Sequence, residues 1–139
     1  MSIEHFDDFL RMAREQKERQ RLLLVFAARE LPEGATPAQR AQFERGEGGA
    51  LVPLMCVDKK PEELTSFAAL QDEVRQQMAF QGLDWSLVFA GALAGVLDAE
   101  PSDVQVDQQL QRMVDAVKSG QLAAYLPFNR DGEPVVLGR

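Results

Sequence analysis

The chain has 139 residues, and its 15 Lys and Arg against 22 Asp and Glu give a net charge of -7. This length fits a single domain, 1–139, and a hydrophobic content of 45% is typical of a soluble globular protein rather than a disordered one. The negative charge disfavours nucleic acid as the main partner, because polyphosphate would meet a surface of its own sign. One Cys and one His exclude an internal disulfide, a Cys/His zinc site and a dithiol redox centre.

The first residues of the chain and the length of its apolar runs indicate the cellular compartment that we expect. Residues 1–8 are not basic and are not followed by an apolar stretch, so they do not resemble a secretory signal. The longest apolar run, Leu87–Leu97, is far shorter than the roughly 20 residues that span a bilayer as a helix. We therefore expect a cytoplasmic protein without a membrane partner.

The first half of the chain predicts two helix–strand units. The first helix, Ile3–Gln16, has Ser2 as its expected cap, and the strand Leu22–Ala28 follows. That strand is apolar at every position, which is typical of strands covered on both faces in parallel sheets. The basic segment Arg11–Arg21 is expected to pair with Glu15 and Glu18 at four-residue spacing.

The second helix and strand carry clear end signals. Thr36, Pro37 and Gln39 form a capping box that starts a short helix ending near Arg45. The second strand, Leu51–Val57, contains Pro53, which is confined to sheet edges, strand starts or bulges. Its regular part is expected at Leu54–Val57.

The second half of the chain continues the alternation of predicted helices and strands. A third helix runs from Pro61 or Thr65 to Gln81, and Trp85–Gly91 is the third strand, while 92–97 fits either strand or helix. The box Ser102–Gln105 starts a fourth helix that ends near Ser119. Two final apolar runs, Leu122–Phe128 and Val135–Leu137, flank an Asp-Gly turn and predict a hairpin.

Alternating helices and strands favour a three-layer α/β fold with a mostly parallel sheet of about five strands, four flanking helices and a C-terminal β-hairpin. A thioredoxin-like arrangement also ends in a hairpin and remains a topological alternative. However, the chain has no Cys-x-x-Cys, and no helix is predicted after the hairpin.

Polar residues after the predicted strands offer one candidate ligand site. Asp58, Lys59 and Lys60 follow the second strand, and Asp98 follows the third, near Glu100 and Asp103. Ligands of open α/β sheets gather outside the carboxyl ends of strands, so these residues are the ones we expect to bind a ligand. The plainer interpretation is a solvated turn beside the starts of two helices.

Three other features have structural interpretations. Gly46–Gly49 follows a helix and precedes a strand, so it is expected to end the helix rather than to bind phosphate. Cys56 in an apolar strand is expected to be a small buried hydrophobic residue. His5 is expected to be a surface or capping residue, and no nucleophile, metal or cofactor motif is present.

Several local strings resemble a known family. These are Arg21–Ala27, Gly46–Pro53, Met55–Lys59, Leu110–Val114 and Phe128–Val135. Together they resemble small proteobacterial proteins of about this length, often named "ribonucleotide reductase subunit alpha". The resemblance covers nearly the whole chain and brings no catalytic residues with it.

The name can be tested against the residues. A reductase of that kind needs a thiyl-radical cysteine and, in most classes, a cysteine pair that supplies electrons. A chain with one cysteine cannot meet this need, so the resemblance implies at most an accessory to nucleotide metabolism.

The leading hypothesis is a non-catalytic protein that acts through protein–protein contact, self-association or regulation. It predicts an exposed apolar patch of several hundred Å² on the folded surface. The alternative is a small enzyme or ligand-binding domain with its site at Asp58, Lys59 and Asp98.

Overall fold

The structure, a computed structural model, describes residues 2–137. Its strands are β1 (Gln20–Glu30), β2 (Ala50–Lys59), β3 (Leu87–Ala94) and β4 (Leu126–Phe128). Its helices are α1 (Phe6–Arg14), α2 (Pro37–Glu44), α3 (Phe67–Gln81) and α4 (Asp103–Ser119), with a 3-10 turn at Pro61–Glu63. The strands form one sheet in the order β2-β1-β3-β4, so the described residues make a single α/β domain. None of the helices within 2–137 is long and apolar enough to cross a membrane.

The prediction of a mostly parallel sheet is wrong, because all three neighbouring strand pairs are antiparallel. The continuous apolar run of β1 reflects its central position between two helical layers. Leu22, Leu24 and Phe26 face a core shared with α1 and α3. Leu23 and Val25 face a second core shared with α4. A central antiparallel strand covered on both faces therefore has the same apolar pattern as a parallel one.

The short helix α2 explains why β1 and β2 are antiparallel. None of its residues is buried, so it does not pack across the sheet as a crossover helix would. Instead it lies in the connection between two neighbouring strands. The chain crosses the sheet by way of α3, which links β2 to β3 with β1 between them.

The predicted C-terminal hairpin is reduced to a turn and one bridge, so the sheet has four strands rather than about five. After the turn, Phe128 and Pro134 form a single isolated bridge, and the Val135 N–H donates to the Pro127 carbonyl at 3.1 Å. Because Pro127 and Pro134 have no N–H, neither can donate to a regular ladder. The run Leu122–Phe128 is a strand only from Leu126 onward.

Several predicted helix ends are confirmed. Thr36 and Ser102 both form capping boxes, and Gly82 and Gly120 end α3 and α4 with φ of 69° and 77°. Ser2 does not cap the first helix, which begins later than predicted. His5 is the N-cap of α1, because its Nδ1 accepts from the Asp7 N–H at 3.0 Å.

Pro53 lies on an edge strand beside a bulge, where a residue without an N–H is tolerated. Strand β2 is at the sheet edge, and the register moves from Phe26 opposite Met55 to Ala27 opposite Pro53. Leu54 is therefore the extra residue of a bulge beside the proline. A bulge and a proline on an edge strand both oppose pairing with another chain.

Candidate interaction surface

The carboxyl ends of β2 and β3 lie at the same end of the sheet. Both strands are antiparallel to β1, so they run in the same direction. Lys59 at the end of β2 pairs with Leu22, and Ala94 at the end of β3 pairs with Gln20. The segment Asp58–Lys60 and the loop that follows β3 are thereby brought to the start of β1.

The four residues predicted to bind a ligand are placed separately. Asp58 accepts from Arg21 Nη1 at 2.8 Å, and Lys59 Nζ donates to Glu73 Oε1 at 2.6 Å. Lys60 Nζ lies 3.3 Å from Glu100 Oε1. Asp98 is exposed and makes no ion pair or hydrogen bond with the described residues. Three of the four are thus paired with three different partners, and they do not converge on one point.

Arg21 anchors this end of the sheet. Its side chain is 11% exposed and lies on the same face of β1 as Leu23, next to the start of α4. The hydrogen bond that Arg21 donates to Asp58 raises the pKa of Arg21. Burial lowers this pKa, and the negative charges of Asp58, Glu100 and Asp103 raise it further. Arg21 Nε is buried without a hydrogen-bond partner in the described part of the chain. The guanidinium is held in place mainly by Asp58.

The predicted ion pairs of Arg11–Arg21 are wrong, because α1 ends at Arg14 and the later residues do not lie on the helix. Arg11 pairs with Asp8 at 3.3 Å. Arg14 donates to the carbonyl groups of residues 61, 64 and 65. Arg19 lies 3.6 Å from Glu100, in the loop after β3. The basic residues therefore hold other parts of the fold.

The loop Gly95–Glu100 is fastened at both ends. At its start, the Gly95 N–H donates to the Arg19 carbonyl at 2.8 Å. At its end, Glu100 lies between Arg19 and Lys60. Pro101, the next residue, is buried. The loop is thus anchored to Arg19, just before β1, and to Lys60, just after β2.

The tip of this loop is a tight turn with an unfavourable backbone conformation. The Ala99 N–H donates to the Val96 carbonyl at 3.0 Å, and Leu97 has a φ of 57°. Leu97 is the one residue other than glycine within 2–137 with a positive φ. A left-handed conformation costs an ordinary residue about 1–2 kcal/mol. Gly95 has no substitute here, because a Cβ on it would lie 1.8 Å from the Ala99 carbonyl oxygen.

The turn presents apolar side chains to solvent. Val96 is 72% exposed, Leu97 is 85% exposed, and Val104 in the first turn of α4 is 65% exposed. We call Val96, Leu97 and Val104 the loop surface. The sequence left 92–97 open between strand and helix, so it did not identify these residues. Strand β3 in fact ends at Ala94.

Two other exposed apolar side chains, Phe80 and Val136, are weaker candidates for an interaction site. Phe80 on α3 is 95% exposed, and it stands among Gln76, Gln77 and Gln81. Val136 is 96% exposed near the end of the described chain. Phe80 lies in a regular helix and Val136 does not have a positive φ, so neither shares the unfavourable backbone conformation of Leu97.

An open cleft of about 450 Å³ adjoins the base of the loop, between the segment that joins α1 to β1 and the start of the 3-10 turn. Charged side chains of both signs line it: Arg14, Lys17, Glu18, Arg19, Glu62 and Glu100. Arg14 is bound to backbone carbonyl groups and Arg19 to Glu100. The cleft therefore holds no concentrated charge of one sign.

The remaining sequence features have structural roles or differ from expectation. Cys56 is exposed rather than buried, because β2 is an edge strand. Gly46 ends α2 with a φ of 84°, as predicted. Across residues 2–137, no group of three or more His, Cys, Asp or Glu side chains is placed to hold a metal ion.

Comparison with known protein families, with curated proteins and with solved structures finds no match to this chain.

Proposed function

We propose that this protein is a non-catalytic cytoplasmic domain that acts by binding another protein through the loop surface. The observation that carries the proposal is the turn at Leu97. Leu97 has a φ of 57°, and its large apolar side chain is 85% exposed. Strained backbone that the surrounding structure enforces is concentrated at functional sites.

The anchoring of the loop supports the same proposal. Gly95 is fastened to Arg19, and Glu100 is fastened to Arg19 and Lys60. An anchored loop loses little conformational entropy when a partner binds. The predicted ligand residue Lys60 then has a supporting role, since it contacts Glu100 at the end of the loop.

A selection with a displayed random peptide library tests the proposal. Peptides are selected on the wild-type protein alone, and their affinities are then measured for the wild type and for a variant with Val96→Ser and Leu97→Ser. We expect peptides that bind the wild type at least tenfold more tightly than this variant. The matched control is Val136→Ser, which removes a side chain that is 96% exposed elsewhere and should leave binding unchanged. If the selected peptides bind the Val96/Leu97 variant as tightly as the wild type, the proposal is contradicted.

Leu97→Gly separates the role of the side chain from that of the backbone. Glycine adopts a φ of 57° without the steric cost, although it also gains entropy in the unfolded chain. We expect the free energy of unfolding to rise by about 0.5–1 kcal/mol while peptide binding is lost. A loss of stability would show that the Leu97 side chain serves the fold instead.

A further inference from the structure

From the charges around the loop surface, we infer that its partner is a protein segment with apolar side chains flanked by Lys or Arg. This inference rests on the proposed function and specifies the partner's chemistry. Asp98 lies in the turn, Asp103 directly precedes Val104, and Asp107 lies one helical turn after Asp103 on α4. All three carboxylates are exposed.

These carboxylates are not paired directly with the nearby cations, although the charge of Asp103 is felt by Arg21. Asp98, Asp103 and Asp107 form no ion pair with any residue in 2–137. Arg21 is already bound to Asp58.

The remaining nearby cations are Arg19 and Lys60, and both contact Glu100. This trio leaves one surplus positive charge against three free carboxylates. The exposed apolar side chains of the loop surface are therefore accompanied by an excess of negative charge, which has the same sign as the net charge of -7.

Charge complementarity decides between the possible occupants. A second copy of this chain would bring the same carboxylates against each other, which is unfavourable for an interface. A basic partner would be attracted to this excess negative charge before contact and would then bury Val96, Leu97 and Val104. The side chain of Leu97, at the tip of the turn, is placed to enter an apolar pocket on that partner.

The peptides selected against the wild-type protein test the inference. We expect the loop-dependent peptides to be enriched in Lys and Arg beside Leu, Ile, Val or aromatic residues. Resynthesised peptides should bind at least tenfold more weakly in 300 mM than in 30 mM NaCl, since salt screens exposed charges. Asp98→Asn and Asp103→Asn should each weaken binding by roughly two- to fivefold, the usual range for an exposed ion pair.

Glu44→Gln is the matched control. It removes an exposed carboxylate from α2, at the opposite end of the sheet, and should leave affinity unchanged. Circular dichroism of each variant checks that it is folded.

The outcomes separate the two claims. Loop-dependent peptides without basic residues, which bind equally to the Asp98 and Asp103 variants, would overturn the inference and leave the proposed function standing. The absence of any loop-dependent peptide would overturn the proposed function. Sedimentation that shows a dimer abolished by Leu97→Ser would also overturn the inference, because the occupant would then be a second copy.

Discussion

Replacing Gly132 with Ala tests how the C-terminal turn is attached to α1. Gly132 has a φ of 80°, and a Cβ on it would lie 2.5 Å from His5 Nε2 and 2.9 Å from Phe67 Cδ2. The Phe6 N–H donates to the Gly132 carbonyl at 2.7 Å, and His5 Nε2 lies 3.0 Å from the Asp131 carbonyl oxygen. An added methyl group would therefore force the turn away from the start of α1.

Gly120 provides the matched control. Its φ is 77°, almost the same as that of Gly132, but a Cβ on it would meet nothing within 4 Å. Both substitutions carry the backbone cost of about 1–2 kcal/mol, partly offset by lower entropy of the unfolded chain. Only Gly132→Ala adds a steric cost of about 1–3 kcal/mol, including the disturbed hydrogen bond to His5. We expect Gly120→Ala to cost about 1 kcal/mol and Gly132→Ala about 2–4 kcal/mol.

Urea denaturation measures both variants, with the buried Trp85, the single tryptophan, as the fluorescent probe. In a double-mutant cycle, Gly132→Ala should destabilise the His5→Ala protein less than it destabilises the wild type, because the nearest obstructing atoms belong to the His5 ring. If Gly132→Ala and Gly120→Ala destabilise equally within 0.5 kcal/mol, the close packing of the turn against His5 is refuted.

Further predictions concern the anchor at Arg21 and the exposed thiol. Arg21→Met should cost about 1.5–3 kcal/mol in urea denaturation, because it removes a charged hydrogen bond to Asp58, whereas Arg75→Met, at an exposed pair, should cost less than about 0.5 kcal/mol. The pKa of Arg21 is raised in the fold, so its stabilisation is present below the unfolded pKa and is lost only at more alkaline pH. The difference between wild type and Arg21→Met should therefore be the same at pH 7 and pH 10. Cys56 should react with a thiol reagent in the native protein about as fast as in urea, and protection by tenfold or more would contradict its exposure.

The sequence predicted the helix ends best, because those signals are local. Thr36 and Ser102 are each followed three residues later by Gln, which completes a capping box. Gly82 and Gly120 adopt the left-handed conformation that ends a helix. The N-cap of α1 was mispredicted because His5, rather than Ser2, supplies the acceptor, and its ring is held by the distant Asp131.

Strand direction was mispredicted because the signal used for it does not distinguish the two cases. Burial on both faces produces an apolar run in either kind of sheet, as β1 shows. The composition of α2 did contain useful information. Phe43 is its single large apolar residue, so the helix has no broad apolar face with which to cover a sheet. A helix of that kind indicates an excursion between neighbouring strands rather than a crossover.

Neither the position nor the conformation of the loop surface was predicted from the sequence; the prediction was that polar residues after β2 and after β3 lie near each other. Of the residues in that prediction, Lys60 contacts Glu100 after β3, whereas Asp58, Lys59 and Asp98 do not come together. That contact arises because β2 and β3 run in the same direction on either side of β1, although neither is parallel to an adjacent strand. A left-handed Leu97 has no local sequence signal, since such positions usually hold Gly, Asn or Asp.

The turn at Leu97 is hard to explain as a connection alone. Glycine or asparagine at that position would join β3 to α4 at a lower backbone cost. The neighbouring residues nevertheless enforce the conformation, because Gly95 permits the close approach of Ala99 and Glu100 is held by two cations. What leucine adds is an apolar side chain that contributes little to either core, since it is 85% exposed. A strained, anchored and exposed leucine is best explained by a contact made outside this chain.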